Sequence, residues 1–236
     1  MSAGVERAEP HAGPESRILP ALAVVVAAVL YARLPDKYIS SGGIPVLHVA
    51  RFVVPTLIIL LLAPLFLSAP RTQVIGSQLI VRLWQRRAVL GLIGLISAAN
   101  AGSIVLLVHY IITGRHLGGH ELVLASIDIW WTNVIVFSLW FWQLDGGGPG
   151  RREPGQTGRE RDFLFPQLES PEHAPDGWRP MYLDYLYTSF TNAAAFSPTD
   201  VLPLTRWAKM LMLVESGASL LTLLMVASRA VNIIGS

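Results

Sequence analysis

Five long apolar runs dominate this chain: Ile18 to Leu34, Phe52 to Ser68, Ala88 to Thr113, Leu122 to Gln143 and Leu204 to Ile234. Each is close to or above the roughly 17 to 25 residues that an α-helix needs to cross a bilayer. Segments of this kind fold in lipid only as helices, because a helix satisfies its own backbone N–H and C=O groups where no water can. The runs therefore predict an all-α integral membrane bundle. Composition agrees, with 52% hydrophobic and only 14% charged residues, well outside the balance of an ordinary soluble domain.

The same inventory narrows function. The chain has no cysteine, which leaves no disulfide framework, thiolate metal site or cysteine nucleophile. A net charge of +2, with the basic residues in loops and not interleaved with aromatics on one face, gives nucleic-acid binding no support. Glu6, Glu9 and Glu15 precede the first run, where a secretory signal would have a short basic leader, so Ile18 to Leu34 is expected to be retained as a span. No Gly-x-Ser-x-Gly, His-Glu-x-x-His or phosphate-loop pattern occurs. His116 and His120 have the spacing of a helical metal pair, but Gly118 and Gly119 between them work against a helix there. Asp128 and Asp184 are the only plausible intramembrane carboxylate pair, and no enzyme motif surrounds them. The expectation is a protein that is not an enzyme, with no cofactor and no metal.

Four regions follow from the composition: a polar leader over 1–17, a four-span region over 18–143, an extramembrane loop over 144–180 and a C-terminal module over 181–236. Between spans two and three, a stretch holding Arg71, Arg82, Arg86 and Arg87 reads as an interfacial helix, with Val74, Leu79, Ile80 and Leu83 toward lipid. Span three carries Gly94, Ala98 and Gly102 at steps of four, a pattern that lets another helix approach closely. Asn100 and His109 in the same span are expected to be satisfied packing polars. Asp128 in span four and Arg51 near the start of span two are natural partners, since pairing lowers the cost of an intramembrane charge. The 144–180 loop is too polar to fold alone. Its Phe163, Leu164 and Phe165 are expected either to dip into the interface or to pack on the neighbouring module.

The C-terminal module, DYLYTSFTNAAAFSPTDVLPLTRWAK from Asp184 to Lys209, reads as a short helix, a Ser-Pro-Thr-Asp turn and the start of a long apolar helix. It resembles the pore module of two-helix potassium channels without a gap. In that family, Asp-x-Leu-Tyr-x-Ser-Phe runs into Thr-Thr-Val-Gly-Tyr-Gly-Asp, then Pro, Thr, a basic residue and a later Glu. Here Asp184, Leu186, Tyr187, Ser189, Phe190, Asp200, Pro203, Thr205, Lys209 and Glu215 stand at those positions. The filter itself is replaced by Ala194, Ala195, Phe196, Ser197, Pro198 and Thr199. Neither filter glycine is present, and Pro198 fixes its own φ and restrains Ser197, so a carbonyl ladder of the potassium type is not expected. The whole chain also resembles a group of uncharacterised bacterial multi-pass membrane proteins, through WWTNV, FWQLDGGGP, DFLFPQ and FTNAAAFSPTD.

These resemblances imply about five spans plus a re-entrant pore helix in a bacterial cytoplasmic membrane. A homotetramer would be needed to close a pore around inorganic ions. They imply pore-supporting roles for Asp184, Thr191, Asn192 and Glu215, the last bracing the pore helix by hydrogen bonding. Asp200, Arg206 and Lys209 become mouth charges of opposing sign. The hydroxyls of Thr188, Thr191, Ser197 and Thr199, with the amide of Asn192, are the polar groups available to stand in for lost filter carbonyls. The alternative is a non-conducting scaffold or sensor with a channel-like fold. Loop charges conflict with the family's orientation. Arg7 and Arg17, the second loop, and Arg151, Arg152, Arg159, Arg161 and Arg179 together outweigh Arg33, Lys37, Arg51 and Arg115, which places the 144–180 loop in the cytoplasm. A potassium-channel pore loop enters from outside. Entry from the cytoplasm, or a full crossing by Met181 to Pro198, would resolve the conflict.

Overall fold

The structure, a computed structural model, describes residues 16–34, 55–56, 77–113, 119–152, 160–194 and 200–234. The chain is all-α, with six α-helices among the described residues: α1 (Ile18–Arg33), α2 (Ser77–Thr113), α3 (Gly119–Leu144), α4 (Pro166–Glu169), α5 (Tyr182–Ala194) and α6 (Arg206–Ile234). Three stretches, Arg86–His109, His120–Gly147 and Arg206–Ser228, are long and apolar enough to cross a membrane. The first run forms α1, whose 16 residues rise about 24 Å, somewhat short of a bilayer core. Most of the second run, 52–68, lies outside the described residues.

The arginine-rich stretch before span three is not a separate interfacial element over its described part. Ser77 to Thr113 is one helix of 37 residues, because neither proline nor glycine interrupts Ser77 to Leu90 and its Leu, Gln, Arg and Ala favour helix. At about 1.5 Å per residue it exceeds any bilayer core and must project beyond it.

Helix α3 is the centre, packed against α1, α2, α5 and α6. One apolar core joins Val24, Ala27 and Ala28 of α1, Leu92, Ile93 and Ile96 of α2, and Ile135, Val136, Leu139, Phe141 and Trp142 of α3, and continues into Tyr182 and Tyr185 of α5. A second joins Leu34, Ile104, Leu107, Leu122, Ala125 and Ile129 toward the other end of α3. The Gly94, Ala98, Gly102 face takes no part in this packing. A Cβ added at Gly94 or Gly102 would meet nothing within 4 Å, so no described helix uses that face. Asn100 is buried at 4% exposure and bonded, whereas His109, one of the same helix's polar residues, is exposed on its surface.

At the end of α3 the chain turns sharply. Gly146, Gly147 and Gly148 all have positive φ, of 57°, 86° and 102°, and a Cβ on Gly148 would lie 2.9 Å from the Gln143 carbonyl. The Asp-Gly-Gly-Gly sequence is thus what lets the chain fold back on the helix end. Asp145, fully buried, then gathers the pieces. Its Oδ1 accepts the backbone N–H groups of Asp162 (2.8 Å) and Phe163 (3.1 Å), and its Oδ2 accepts the Tyr185 hydroxyl (2.6 Å). The Arg152 guanidinium lies 3.9 Å from Oδ2, bonds the carbonyls of Trp142 (2.7 Å) and Asp145 (2.8 Å), and sits 5.0 Å from the centre of the Tyr185 ring. The 144–180 loop is therefore folded by what it leans on, not by a core of its own. Phe163 and Phe165 are buried against Phe141, Tyr185 and Trp178, so they pack on the module.

Strand β1 (Phe163–Leu164) pairs antiparallel with β2 (Leu202–Pro203), Phe163 opposite Pro203 and Leu164 opposite Leu202. This short ladder brings the chain, after α5, back to the end of α3 at which α5 began. Asp162 continues the closure: its carbonyl accepts the Leu204 N–H at 2.8 Å and its carboxylate accepts the Thr205 hydroxyl at 2.7 Å. The same Thr205 oxygen accepts the Ala208 N–H at 3.3 Å, capping α6.

Replacing Asp145 with alanine removes the acceptor for two buried amides, a tyrosine hydroxyl and an arginine. Breaking one partner of a buried pair costs about 3 to 5 kcal/mol. Asp145→Ala is expected to lower the unfolding midpoint of the detergent-solubilised protein markedly, followed by far-UV circular dichroism. An unchanged midpoint would remove Asp145 from this anchoring role.

Candidate functional site

The candidate site is the contact of α5 with α3 and α6. Thirteen residues give α5 a length of about 20 Å, too short to span. Its N-terminus is set by a reciprocal turn: the Asp184 carboxylate accepts the Met181 N–H at 2.7 Å, and the Asp184 N–H bonds the Met181 carbonyl at 3.0 Å. This is one half of a capping box. From there α5 descends along α3. Tyr182 meets Trp142 and Ser138, Ser189 meets Val134, and Phe190 meets Trp130 and Trp131. The helix thus ends beside the middle of α3. The Tyr182 hydroxyl bonds Ser138 at 2.8 Å.

The lower half of α5 is fixed by polar contacts inside an otherwise apolar bundle. Glu215 of α6, fully buried, has Ser189 at one carboxyl oxygen and Asn192 at the other, the Asn192 Nδ2 bond being 2.6 Å. Asn192 also donates to the Met212 carbonyl at 2.9 Å and receives the Ser216 hydroxyl at 3.1 Å. One turn along the same face of α6, Asn133 of α3 donates to the Glu215 carbonyl (3.3 Å) and to Ser219 (2.9 Å), and Asn100 of α2 donates to Asn133 (3.3 Å). One connected network therefore links α2, α3, α5 and α6.

Ser189 has a single hydroxyl proton, yet its oxygen lies in bonding reach of the Val134 carbonyl at 2.7 Å and of Glu215 Oε1. A carbonyl can only accept. Its one proton is shared between the two acceptors or alternates between them.

Of the residues expected at the filter, Ala195, Phe196, Ser197, Pro198 and Thr199 lie outside the described residues, and Ala194 is the last residue of α5. Asp200, Arg206 and Lys209 are exposed near the start of α6. Several groups expected to face ions are occupied otherwise. Thr188 bonds the Asp184 carbonyl (2.8 Å), Thr191 bonds those of Tyr187 (2.9 Å) and Thr188 (3.1 Å), and Asn192 is held by α6. A helical threonine hydroxyl reaches its own preceding turn more readily than an axis beyond it. Arg51 and His116 lie outside the described residues. Asp128 is buried in α3, 8% exposed.

Sequence reasoning missed the Asp145 anchor with Arg152 and Asp162, the bond from Thr205 to Asp162, and the link through Asn133. The signals were present in part. Asn133 is an amide in the middle of an apolar run, and Asp145 is an acid at the end of one. What the sequence lacks is any mark of their partners, which are 7 to 86 residues away. Comparison with protein-family models, with curated proteins and with solved structures finds no match.

Glutamine at position 215 can accept from Asn192 and donate to Ser189, whereas alanine leaves both unsatisfied. Glu215→Gln is expected to stay within about 1 kcal/mol of the parent, and Glu215→Ala to lose about 2 to 5 kcal/mol. Thermal unfolding of both variants in one detergent checks this, and equal losses would show that the contact is not a hydrogen-bonding one.

Proposed function

We propose that the chain is a multi-pass membrane protein carrying a channel-type pore module of weak or altered ion selectivity, not of the potassium type. The observation that carries this reading is the course of α5. It is too short to span, descends to mid-length between α3 and α6, and is followed by a return of the chain to the level at which it began. A helix and turn that enter and leave on one side, followed by a full-length apolar helix, have the order and geometry of a pore loop. That course supports the arrangement with α5 re-entrant over a full crossing by 181–198.

In this reading α3 is the outer helix, α5 the pore helix and α6 the inner helix, with Glu215 holding the second to the third. Irregular backbone at membrane depth is tolerated where it lines a water-filled cavity or is buried in protein. Four copies around one axis would bring residues 195–199 together and set Asp200 and Arg206 in rings at the mouth. Without filter glycines, coordination falls to side chains and selectivity is weak. The second reading, a non-conducting scaffold, draws on a specific observation: Thr188, Thr191, Asn192 and Glu215 spend their polar groups within the bundle.

Reconstitution of the full chain in liposomes separates the two. A conducting oligomer is expected to pass small inorganic ions, with Asp200→Asn lowering cation preference by about tenfold at low salt and Pro198→Gly altering conductance. Currents unchanged in both variants would sink the pore assignment, and an oligomer with no flux of any ion would favour the scaffold.

A further inference from the structure

Basic residues gather at one end of the bundle, and several helices bring them there. Ser97 of α2 bonds Trp140 of α3 at 2.9 Å and Asn100 bonds Asn133 at 3.3 Å, so α2 runs antiparallel to α3. Arg87, in the earlier turns of α2, therefore lies toward the end of α3. Helix α1 runs the same way as α2: Val24 packs in the core that holds Leu139 and Trp142, and Leu34 packs beside Leu122 near the start of α3. Arg17, just before α1, is thus at that end too. Arg151 follows the glycine turn of α3, and the Thr205 bond to Asp162 brings the start of α6, with Arg206 and Lys209, to the same level. Each of these side chains is exposed. Sequence position alone assigns neither Arg206 nor Lys209 to a side, whereas the Asp162 contact does.

The other end is poorer in cations. Helix α6 runs toward it, with Ala218 and Met225 packed on the core around Leu122. Among the described residues, its arginines and lysines are Arg33 at the end of α1 and Arg229 near the end of α6. Membrane orientation follows Lys and Arg close to the ends of spans, which are retained on the side of the anionic cytoplasmic leaflet. The exposed acids Glu169, Glu172 and Asp176 share the basic end, but carboxylates contribute little to the choice. We infer that the end of the bundle at which α5 begins is the cytoplasmic end, its basic collar facing the anionic headgroups of that leaflet. The consequence, which rests on reading α5 as re-entrant, is that the pore helix enters from the cytoplasm, the reverse of the potassium-channel arrangement.

The chain has no cysteine, so single cysteines report sidedness directly. The full chain is expressed in a bacterial inner membrane and treated with a membrane-impermeant maleimide, as intact spheroplasts and as inverted vesicles, with labelling in denaturant to normalise the amount of protein. Glu172→Cys and Asp176→Cys, exposed at the basic end, are expected to be labelled about tenfold more strongly in inverted vesicles, as in a chain inserted predominantly one way. His120→Cys, exposed in the first turn of α3 at the other end, is expected to show the opposite preference. Labelling of the loop cysteines in intact spheroplasts at or above the level in inverted vesicles overturns the inference. Replacing Arg17, Arg87, Arg151, Arg206 and Lys209 together by Gln in the Glu172→Cys chain is expected to lower its preference by about threefold, and an unchanged preference overturns the role of the collar. Sidedness is read without ion flux, so a silent protein leaves this result standing, and an outward loop leaves the pore reading standing.

Discussion

A buried carboxylate at the end of α3 holds the C-terminal half of this protein in shape. Asp145 accepts from two backbone amides of the loop and from Tyr185 of α5, while Arg152 supplies the opposite charge. Each of those groups would be expensive to bury unpaired. Joined, they hold the helix end, the loop and the short helix at one point. The three glycines that follow let the chain reach back to make the joint, and the β1–β2 ladder and Thr205 cap close the circuit at the start of α6.

From that anchor, α5 is committed to a direction. Its upper end is fixed by Tyr185 and Tyr182, and its lower end by Ser189 and Asn192 on Glu215. The two attachments differ in kind. The upper one is a charged node at the edge of the bundle, and the lower one is a chain of hydroxyls and amides within apolar packing, extended through Asn133 to Asn100. A short helix held at both ends in this way is a rigid support for the residues that follow it.

The arrangement also sharpens the question of orientation. The 144–180 loop and the return segment 200–205 lie at the same end of α3, so they face the same side of any membrane the bundle crosses. Loop charge that puts the first in the cytoplasm puts the second there too, and an outside entry for α5 would carry the arginines outside with it. One of those arginines, Arg152, is consumed by the fold, and Arg161 and Arg179 lie beside it around a small hollow. Charge counting treats all of them alike, although their surroundings differ.

The apolar runs by themselves determined the class: a helical bundle with segments long enough to span, because uninterrupted apolar sequence has no other way to satisfy its backbone in lipid. The sequence also carried the short-helix and long-helix order of the last quarter, and Glu215 and Asn192 were named there through the resemblance to a pore module, since at 23 residues apart no local spacing joins them. Tertiary structure alone decided the rest. The arginine-rich stretch from Ser77 joins α2, because nothing in it breaks a helix. The Gly94 and Gly102 face is left without a neighbour, since small residues permit a close approach but do not compel one. Thr188 and Thr191 turn to their own helix. Asp145 became the anchor through partners distant along the chain, and no periodicity records a hydrogen bond between residues that only folding brings together.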